Sequence, residues 1–324
     1  MSDDLALNDS ERSVPEETEG QAAHPRGGWL KGLRSELTGI LWLILAVLGF
    51  HSFIAKPFYI PSESMLPGLL VGDQLVVTKY AYGWSFVSPT IPDPVAIWKS
   101  VVLRQPQDSW GVQLPFMRGR LFGRMPERGD VVIVTPPGGK VDYIKRVIGL
   151  PGDTLEVRDG VVILNGTPVK RGPMRMVDIP DYGNVPTADG SLTCDPASVP
   201  GGLHRGPDGE YRCRLPLVRE TLPNGRSYDT VELGPSIADN YGPVVIPDKR
   251  VFLMGDNRDR SADSRFPLSE EGLGGPVPWE NIGGRAEFVT YSKNGSATWN
   301  PLTWWGGLRG GRAGTSLHPE RDGK

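Results

Sequence analysis

The residues best suited to chemistry are two serines in the stretch Ile-Pro-Ser-Glu-Ser-Met at 60–65. Ser62 and Ser64 are two residues apart, and on an extended strand such residues point to the same face. One hydroxyl can then act as a nucleophile while the other donates a hydrogen bond beside it. On its own the stretch is more typical of an ordinary turn, because proline and serine both favour turns.

A lysine suited to act as a base lies in Asp-Tyr-Ile-Lys-Arg-Val at 142–147. On a strand, Lys145 shares a face with Tyr143 and Val147. Apolar surroundings remove water from the ammonium group, which lowers the pKa of the lysine and makes its neutral amine available as a general base. A serine paired with a lysine is a known variant of the catalytic triad. The alternative is an edge lysine whose amine reaches water.

The third candidate is the loop Gly-Asp-Asn-Arg-Asp-Arg-Ser-Ala-Asp-Ser-Arg at 255–265. It is not a calcium loop, because Arg258 and Arg260 occupy positions where an EF-hand needs oxygen ligands. Alternating charges and short hydroxyl side chains instead predict a hydrogen-bonded scaffold that orients its neighbours. The four histidines are scattered and there is no Cys-x-x-Cys pair, so we expect neither a metal site nor a cofactor.

An apolar segment precedes these candidates. Residues 37–55 carry no charged side chain, and as a helix they would be about 28 Å long, close to the thickness of a bilayer's hydrocarbon core. A buried helix of a soluble protein is one alternative. A cleaved signal peptide is another, disfavoured by the polar stretch in front and the missing Ala-x-Ala site behind. Arg26, Lys31 and Arg34 precede the span and Lys56 alone follows it, which predicts a single-pass protein in the cell membrane with a cytoplasmic N-terminus.

This topology places the remainder of the chain outside the cytoplasm. Ser64 is ten residues beyond Ile54, so an extended chain keeps it within about 33 Å of the bilayer. A reactive serine there suits a substrate that is itself in the membrane. The net charge of −3 and pI near 5.9 give no reason to expect nucleic acid as a partner.

Strand and turn signals after the span predict a mainly β fold, an antiparallel sheet or partial barrel. Short β-branched runs separated by Gly and Pro predict strands at 130–135, 141–150, 154–158, 161–165, 251–254 and 286–292, with a hairpin at Asp159-Gly160. The predicted organisation is a disordered cytoplasmic tail (1–36), a transmembrane helix (37–55), a catalytic β core (56–169 and 250–294), an inserted loop-rich β subdomain (170–249) and a flexible Trp/Gly-rich extension (295–324).

Two cysteines, Cys194 and Cys213, lie in the predicted insertion. For a domain outside the cytoplasm we expect a disulfide between them, two reduced thiols being the alternative.

The three chemical segments, in this order behind an N-terminal span, resemble the type I signal peptidases, membrane-bound Ser-Lys endopeptidases that remove signal peptides from exported proteins. The resemblance spans 54–79, 126–156 and 250–288. It is carried by Pro-Ser-Glu-Ser-Met-Leu-Pro, Arg-Gly-Asp-Val-Val, Tyr-Ile-Lys-Arg-Val-Ile-Gly-Leu-Pro-Gly-Asp and the 255–265 loop.

By this resemblance Ser64 is the nucleophile, Lys145 the general base and Ser62 an oxyanion donor. Ser261 would orient Lys145, with Asp263 and Arg265 holding its loop. Small apolar pockets, which explain a preference for Ala-x-Ala before the cleaved bond, would be lined by Phe58, Ile60, Pro61, Leu69, Tyr143 and Ile144. The implied partners are signal peptides of exported preproteins, the lipid bilayer and, transiently, the export machinery.

The sequence departs from the family pattern in three places. Glu63 stands between the serines where glycine is frequent; we expect its side chain to face away from Ser64, with little effect. The irregular insertion at 84–125 and the Trp-rich tail have no assigned counterpart.

Two other functions compete. A repressor-type autoprotease would need a DNA-binding helical module, which residues 1–36 cannot supply. An inert membrane-anchored scaffold would keep the fold without the Ser-Lys pair.

Overall fold

The structure, a computed structural model, describes residues 28–89, 91–92, 111–112, 119–181, 194–207, 209–296 and 300–321. The chain divides into two units, Met1–Leu45 and Ala46–Lys324. Helix α1 (Gly28–Phe53) begins in the first and ends in the second.

Helix α1 contains a segment long and apolar enough to cross a membrane, Gly32–Phe53. Its large apolar side chains are exposed, Trp42 to 69%. The apolar run predicted at 37–55 is therefore helical, but the helix starts nine residues earlier and stops before Ala55, which begins the first strand.

The rest of the described chain is mainly β. In chain order its strands are β1 (Ala55–Tyr59), β2 (Asp73–Thr78), β3 (Ile91–Pro92), β4 (Gly111–Val112), β5 (Val131–Val134), β6 (Tyr143–Gly149), β7 (Thr154–Arg158), β8 (Val161–Leu164), β9 (Thr167–Pro168), β10 (Lys170–Arg171), β11 (Arg175–Pro180), β12 (Leu203–Arg205), β13 (Tyr211–Thr221), β14 (Arg226–Val231), β15 (Tyr241–Val245), β16 (Arg250–Met254), β17 (Val277–Pro278), β18 (Ile282–Ser292) and β19 (Glu320–Arg321). Short 3₁₀ helices lie at Ile237–Asp239, Leu268–Glu270, Trp279–Asn281 and Pro301–Thr303.

A seven-stranded antiparallel sheet, ordered β1-β2-β18-β5-β6-β16-β17, carries the candidate site. Its central strand β5, Val-Val-Ile-Val, is buried on both faces, which is why it reads as a continuous apolar run. The predicted mainly β, antiparallel fold is confirmed.

A second sheet of four strands, β15-β7-β8-β9, contains the predicted hairpin. Asp159 and Gly160 both have positive φ, 47° and 75°. A two-residue turn of this kind matches the twist of its strands, and glycine adopts it at little cost.

In the region predicted as an inserted loop-rich β subdomain at 170–249, the described residues form several strands, and some of these pair with strands outside that range. Strands β10-β13-β14-β19 form a sheet, with β11 and β12 also pairing with β13. β15 belongs to the four-stranded sheet and β19 comes from the tail.

The physical reason lies in the alternation along β13. Leu215 and Leu217 point inward and pack in one apolar cluster with Leu66, Leu70 and Val71, which follow the serine stretch. Arginines and a proline between the inward residues hid this pattern in the sequence.

The tail also differs from the predicted flexible extension. Arg312 forms an ion pair with Asp73, Arg309 donates to the carbonyl oxygen of Val71, and Leu317 is buried in the core cluster beneath the candidate site. The carboxylate of Asp73 is fully buried, and a buried charge requires a partner, which the tail supplies.

Of the insertion predicted at 84–125, residues 90, 93–110 and 113–118 lie outside the described part. Trp84 pairs with Leu121 through a β-bridge, and Arg120 donates to the carbonyl oxygens of Gly83 and Trp279. The two ends of the insertion are therefore held together.

Candidate active site

The serine stretch forms a turn, not the extended strand considered from the sequence. After β1, the amide of Leu66 donates to the carbonyl oxygen of Glu63, and that of Leu69 to Met65. These local hydrogen bonds curl the chain. The turn nevertheless brings Ser62 Oγ to within 3.4 Å of Ser64 Oγ.

Lys145 lies in the middle of β6, where its backbone pairs with Val132 of β5. Its Nζ is 3.0 Å from Ser64 Oγ, across 81 residues of sequence. Both side chains are buried, with 4% of Lys145 and 6% of Ser64 exposed. The ring of Tyr143 lies on the same side, 5.4 Å from Nζ, as the strand alternation predicts.

Burial lowers the pKa of Lys145 to about 8. Loss of hydration is the largest cause; the negative charge of Asp263 acts in the opposite direction, and the positive charge of Arg265 lowers the pKa further. A large fraction of this lysine is therefore neutral near pH 8, as a general base requires.

The 255–265 loop lies directly against the serine turn. The amide of Asn257 donates to the carbonyl oxygen of Ser64 at 3.1 Å. A Cβ at Gly255 would collide with Ser261 Oγ and lie 2.5 Å from Ser64 O, so only glycine allows this approach.

Asp263 holds the loop's shape. Its carboxylate accepts from the amides of Gly255 and Arg265 and from the guanidinium of Arg265. Burial acts to raise the pKa of Asp263, but Arg265 and these amides hold it below its usual value.

Ser261 is buried beside the site. Its Oγ has no hydrogen-bond partner among the described residues, so the hydrogen bond to Lys145 implied by the family resemblance is not formed here.

Two buried ion pairs between the loop and strands β6 and β13 were not predicted. Arg146 makes a bidentate contact with Asp256 at 2.7 and 2.6 Å, and Arg258 pairs with Glu220. The dense alternation of acids and arginines at 255–265 was the available signal, but it does not show which charge meets which.

The six residues predicted to line substrate pockets fall into two groups. Ile60, Leu69 and Ile144 are buried in one core cluster, and Phe58 packs against it. Phe58, Pro61 and Tyr143 are partly exposed. Of these three, Tyr143 packs against a different, neighbouring core cluster.

A cavity of about 480 Å³ lies behind the serine turn, among 22 lining residues that include Met65, Leu69, Arg146 and Leu317. It is lined by neither Ser64 nor Lys145.

Cys194 and Cys213 are joined by a disulfide in the structure. No group of three or more His, Cys, Asp or Glu side chains in the described ranges is arranged to hold a metal ion.

Comparisons with known proteins agree with the motifs. The family model "Signal peptidase, peptidase S26" matches residues 33–291. A signal peptidase I of Rickettsia typhi is 31% identical over 283 residues, covering 85% of this chain and 84% of the relative. One from Rickettsia akari is 30% identical, with 85% and 83% covered.

A crystal structure of a signal peptidase I from Enterococcus faecalis is 21% identical and covers 50% of this chain and 97% of its own, with a TM-score of 0.24. The family match and the Rickettsia relatives confirm the resemblance: this chain belongs to the peptidase S26 family of signal peptidases and is a serine peptidase.

Proposed function

We propose that this protein is a membrane-bound endopeptidase that removes N-terminal signal peptides from exported preproteins after Ala-x-Ala-like sites. Ser64 is the nucleophile and Lys145 the general base. The observation that carries the proposal is the 3.0 Å contact between Lys145 Nζ and Ser64 Oγ, both buried. Nucleophile and base within hydrogen-bond reach are the requirement for this chemistry.

In the proposed reaction the neutral amine of Lys145 takes the proton of Ser64 Oγ as the oxygen attacks the carbonyl carbon of the scissile peptide bond. The resulting ammonium gives that proton to the leaving amine, and an ester remains on Ser64. Lys145 then activates a water molecule that hydrolyses the ester.

The oxyanion formed in each step needs donors already in place. We assign this role to the hydroxyl of Ser62, whose Oγ is 3.4 Å from Ser64 Oγ, and to the backbone N–H of Ser64. We assign Ser261 to orient Lys145 by a side-chain rotation that satisfies its unpartnered hydroxyl. Asp263 and Arg265 keep the loop in position.

Substrate preference follows from the apolar surface beside the turn. We assign the pocket walls to the partly exposed side chains of Phe58, Pro61 and Tyr143. We assign the floor to Ile60, Leu69 and Ile144, which are buried in one core cluster with Phe58 packed against it. Because close-packed side chains cannot move apart easily, substrate residues larger than alanine do not fit into these pockets before the cleaved bond, whereas alanine does.

The membrane supplies the substrate's location. Helix α1 is the anchor, with the N-terminus in the cytoplasm and the catalytic residues outside. The strand register places Pro57, Val76 and Phe288 side by side on strands β1, β2 and β18. Two residues along β2, Tyr59 and Tyr291 lie on either side of Gln74. This partly exposed apolar face, on the sheet that begins two residues after α1, suits contact with the bilayer surface.

Cleavage of an Ala-x-Ala preprotein by the detergent-solubilised full chain tests the proposal. Ser64→Ala should abolish cleavage without unfolding the protein. Lys145→Arg keeps a positive charge but cannot give up its proton at working pH, so it should be inactive as well, while Lys140→Arg on an exposed turn should cleave normally.

Equal cleavage by the parent and Lys145→Arg would reduce Lys145 to an electrostatic role. Cleavage by Ser64→Ala would remove Ser64 as nucleophile. No cleavage by the parent would favour the inert scaffold.

A further inference from the structure

The side chain of Glu63, expected to face away with little effect, is buried between the two serines' turn and the 255–265 loop. Only 2% of it is exposed, and its Oε2 accepts from Arg260 Nη1 at 2.7 Å. Its other oxygen has no hydrogen-bond partner among the described residues. A carboxylate in such a place depends on its ion pair, because removing one partner leaves an uncompensated buried charge.

Arg260 links this carboxylate to two other segments. It immediately precedes Ser261 in the loop, and its Nη2 lies 3.7 Å from Asp195 Oδ2. Asp195 follows Cys194, whose disulfide packs in the same apolar cluster as Leu66. The ion pair therefore bridges regions 197 residues apart in sequence.

The turn is thus attached to the loop at two consecutive residues, Glu63 and Ser64. One attachment is the backbone hydrogen bond from Asn257 to Ser64 O at 3.1 Å. The other is the side chain of Glu63. A backbone bond alone permits rotation about itself, whereas two attachments fix the direction in which Ser64 Oγ points.

We propose that Glu63 is a positioning residue, which acts through Arg260 to hold Ser64 in line with Lys145 and to keep Ser261 beside both. This inference rests on the proposed function, since it assumes that Ser64 and Lys145 react. Displacing a reacting group by about 1 Å costs on the order of 100-fold in rate.

The test is steady-state cleavage by Glu63→Gln, Arg260→Met and the double variant in detergent. Each single variant should lower kcat by roughly 10- to 100-fold while KM changes less than about twofold, because the pair positions Ser64 without contacting substrate. The double variant should be no slower than the slower single variant, as expected for two residues acting through one contact. Arg260→Lys, which keeps the charge, should recover most of kcat.

Asp153→Asn is the matched control. It removes a carboxylate from another largely buried ion pair, Arg128 to Asp153 at 2.8 Å, outside the turn and the 255–265 loop. It should lower the unfolding temperature yet leave kcat per folded molecule unchanged.

An unchanged kcat in Glu63→Gln, or losses that multiply in the double variant, would overturn this inference while leaving the proposed function intact. No cleavage by the parent would overturn both.

Discussion

Cleavage by this protein should increase with pH about a midpoint near 8, because Lys145, the proposed general base, must lose a proton before it can accept one from Ser64. Burial lowers the pKa of Lys145 from 10.5 to about 8, so the neutral fraction is ~9% at pH 7 and ~91% at pH 9. The expected rise in kcat/KM across this interval is therefore about tenfold, followed by a plateau.

An ordinary lysine would behave differently. With a pKa of 10.5 its neutral fraction at pH 7 is ~0.03%, and activity would rise about 100-fold between pH 7 and 9 without levelling. The lowered pKa thus increases the population of active base at pH 7 by roughly 300-fold.

The assay is the initial rate of cleavage at substrate concentrations well below KM, from pH 6 to pH 10, with folding checked at each pH. kcat/KM then reports ionisation of the uncomplexed enzyme. Lys140→Arg should reproduce the parent's profile. A flat profile, or one still climbing at pH 10, would refute the reasoning.

Two further predictions concern stability. Without reduction, Cys194 and Cys213 should resist alkylation in a mass-spectrometric assay, and two alkylated thiols in the untreated protein would contradict the disulfide. Replacing both cysteines with serine should lower the free energy of unfolding by about 2–4 kcal/mol. Arg312→Met leaves the buried carboxylate of Asp73 without its cation and should lower the free energy of unfolding by about 3 kcal/mol. Thermal unfolding measures this, with Arg321→Met at an exposed position as the control. Equal unfolding temperatures of the two variants would show that the tail is not held by this pair.

The apolar helix, most core strands and the register of Lys145 could be predicted because they depend on patterns within one segment. An apolar run long enough to cross a bilayer indicates α1. Alternation or continuous burial indicates β5, β6 and the hairpin after Lys145. In each of these elements, the residues that set the pattern are close to one another along the chain.

The serine turn was harder because its shape is set by hydrogen bonds that compete with strand pairing. The sequence left two interpretations open, a strand whose alternation brings Ser62 and Ser64 to one face and an ordinary turn. In the structure the two serines approach through a turn closed by Glu63 and Leu66.

Contacts between distant charges could not be predicted at all. Arg260 meets Glu63 and Arg312 meets Asp73 across 197 and 239 residues. Each arginine had several acids to choose from, and only the folded backbone decides which carboxylate is buried beside it. The tail was predicted to be flexible from its Trp- and Gly-rich composition, which gives no sign of the contact between Arg312 and Asp73.

Two groups beside Ser64, the buried amine of Lys145 and the hydroxyl of Ser261, lower the stability of the folded protein. Lowering the pKa of Lys145 from 10.5 to about 8 corresponds to about 3 kcal/mol. Since the unfolded chain binds this proton more tightly, the folded state carries that cost below pH 8 and recovers it as pH rises toward 10.5. Burial of the Ser261 hydroxyl without a hydrogen-bond partner among the described residues is also unfavourable. Both costs fall on groups adjoining Ser64, where the proposed chemistry needs a neutral amine and a hydroxyl able to orient it.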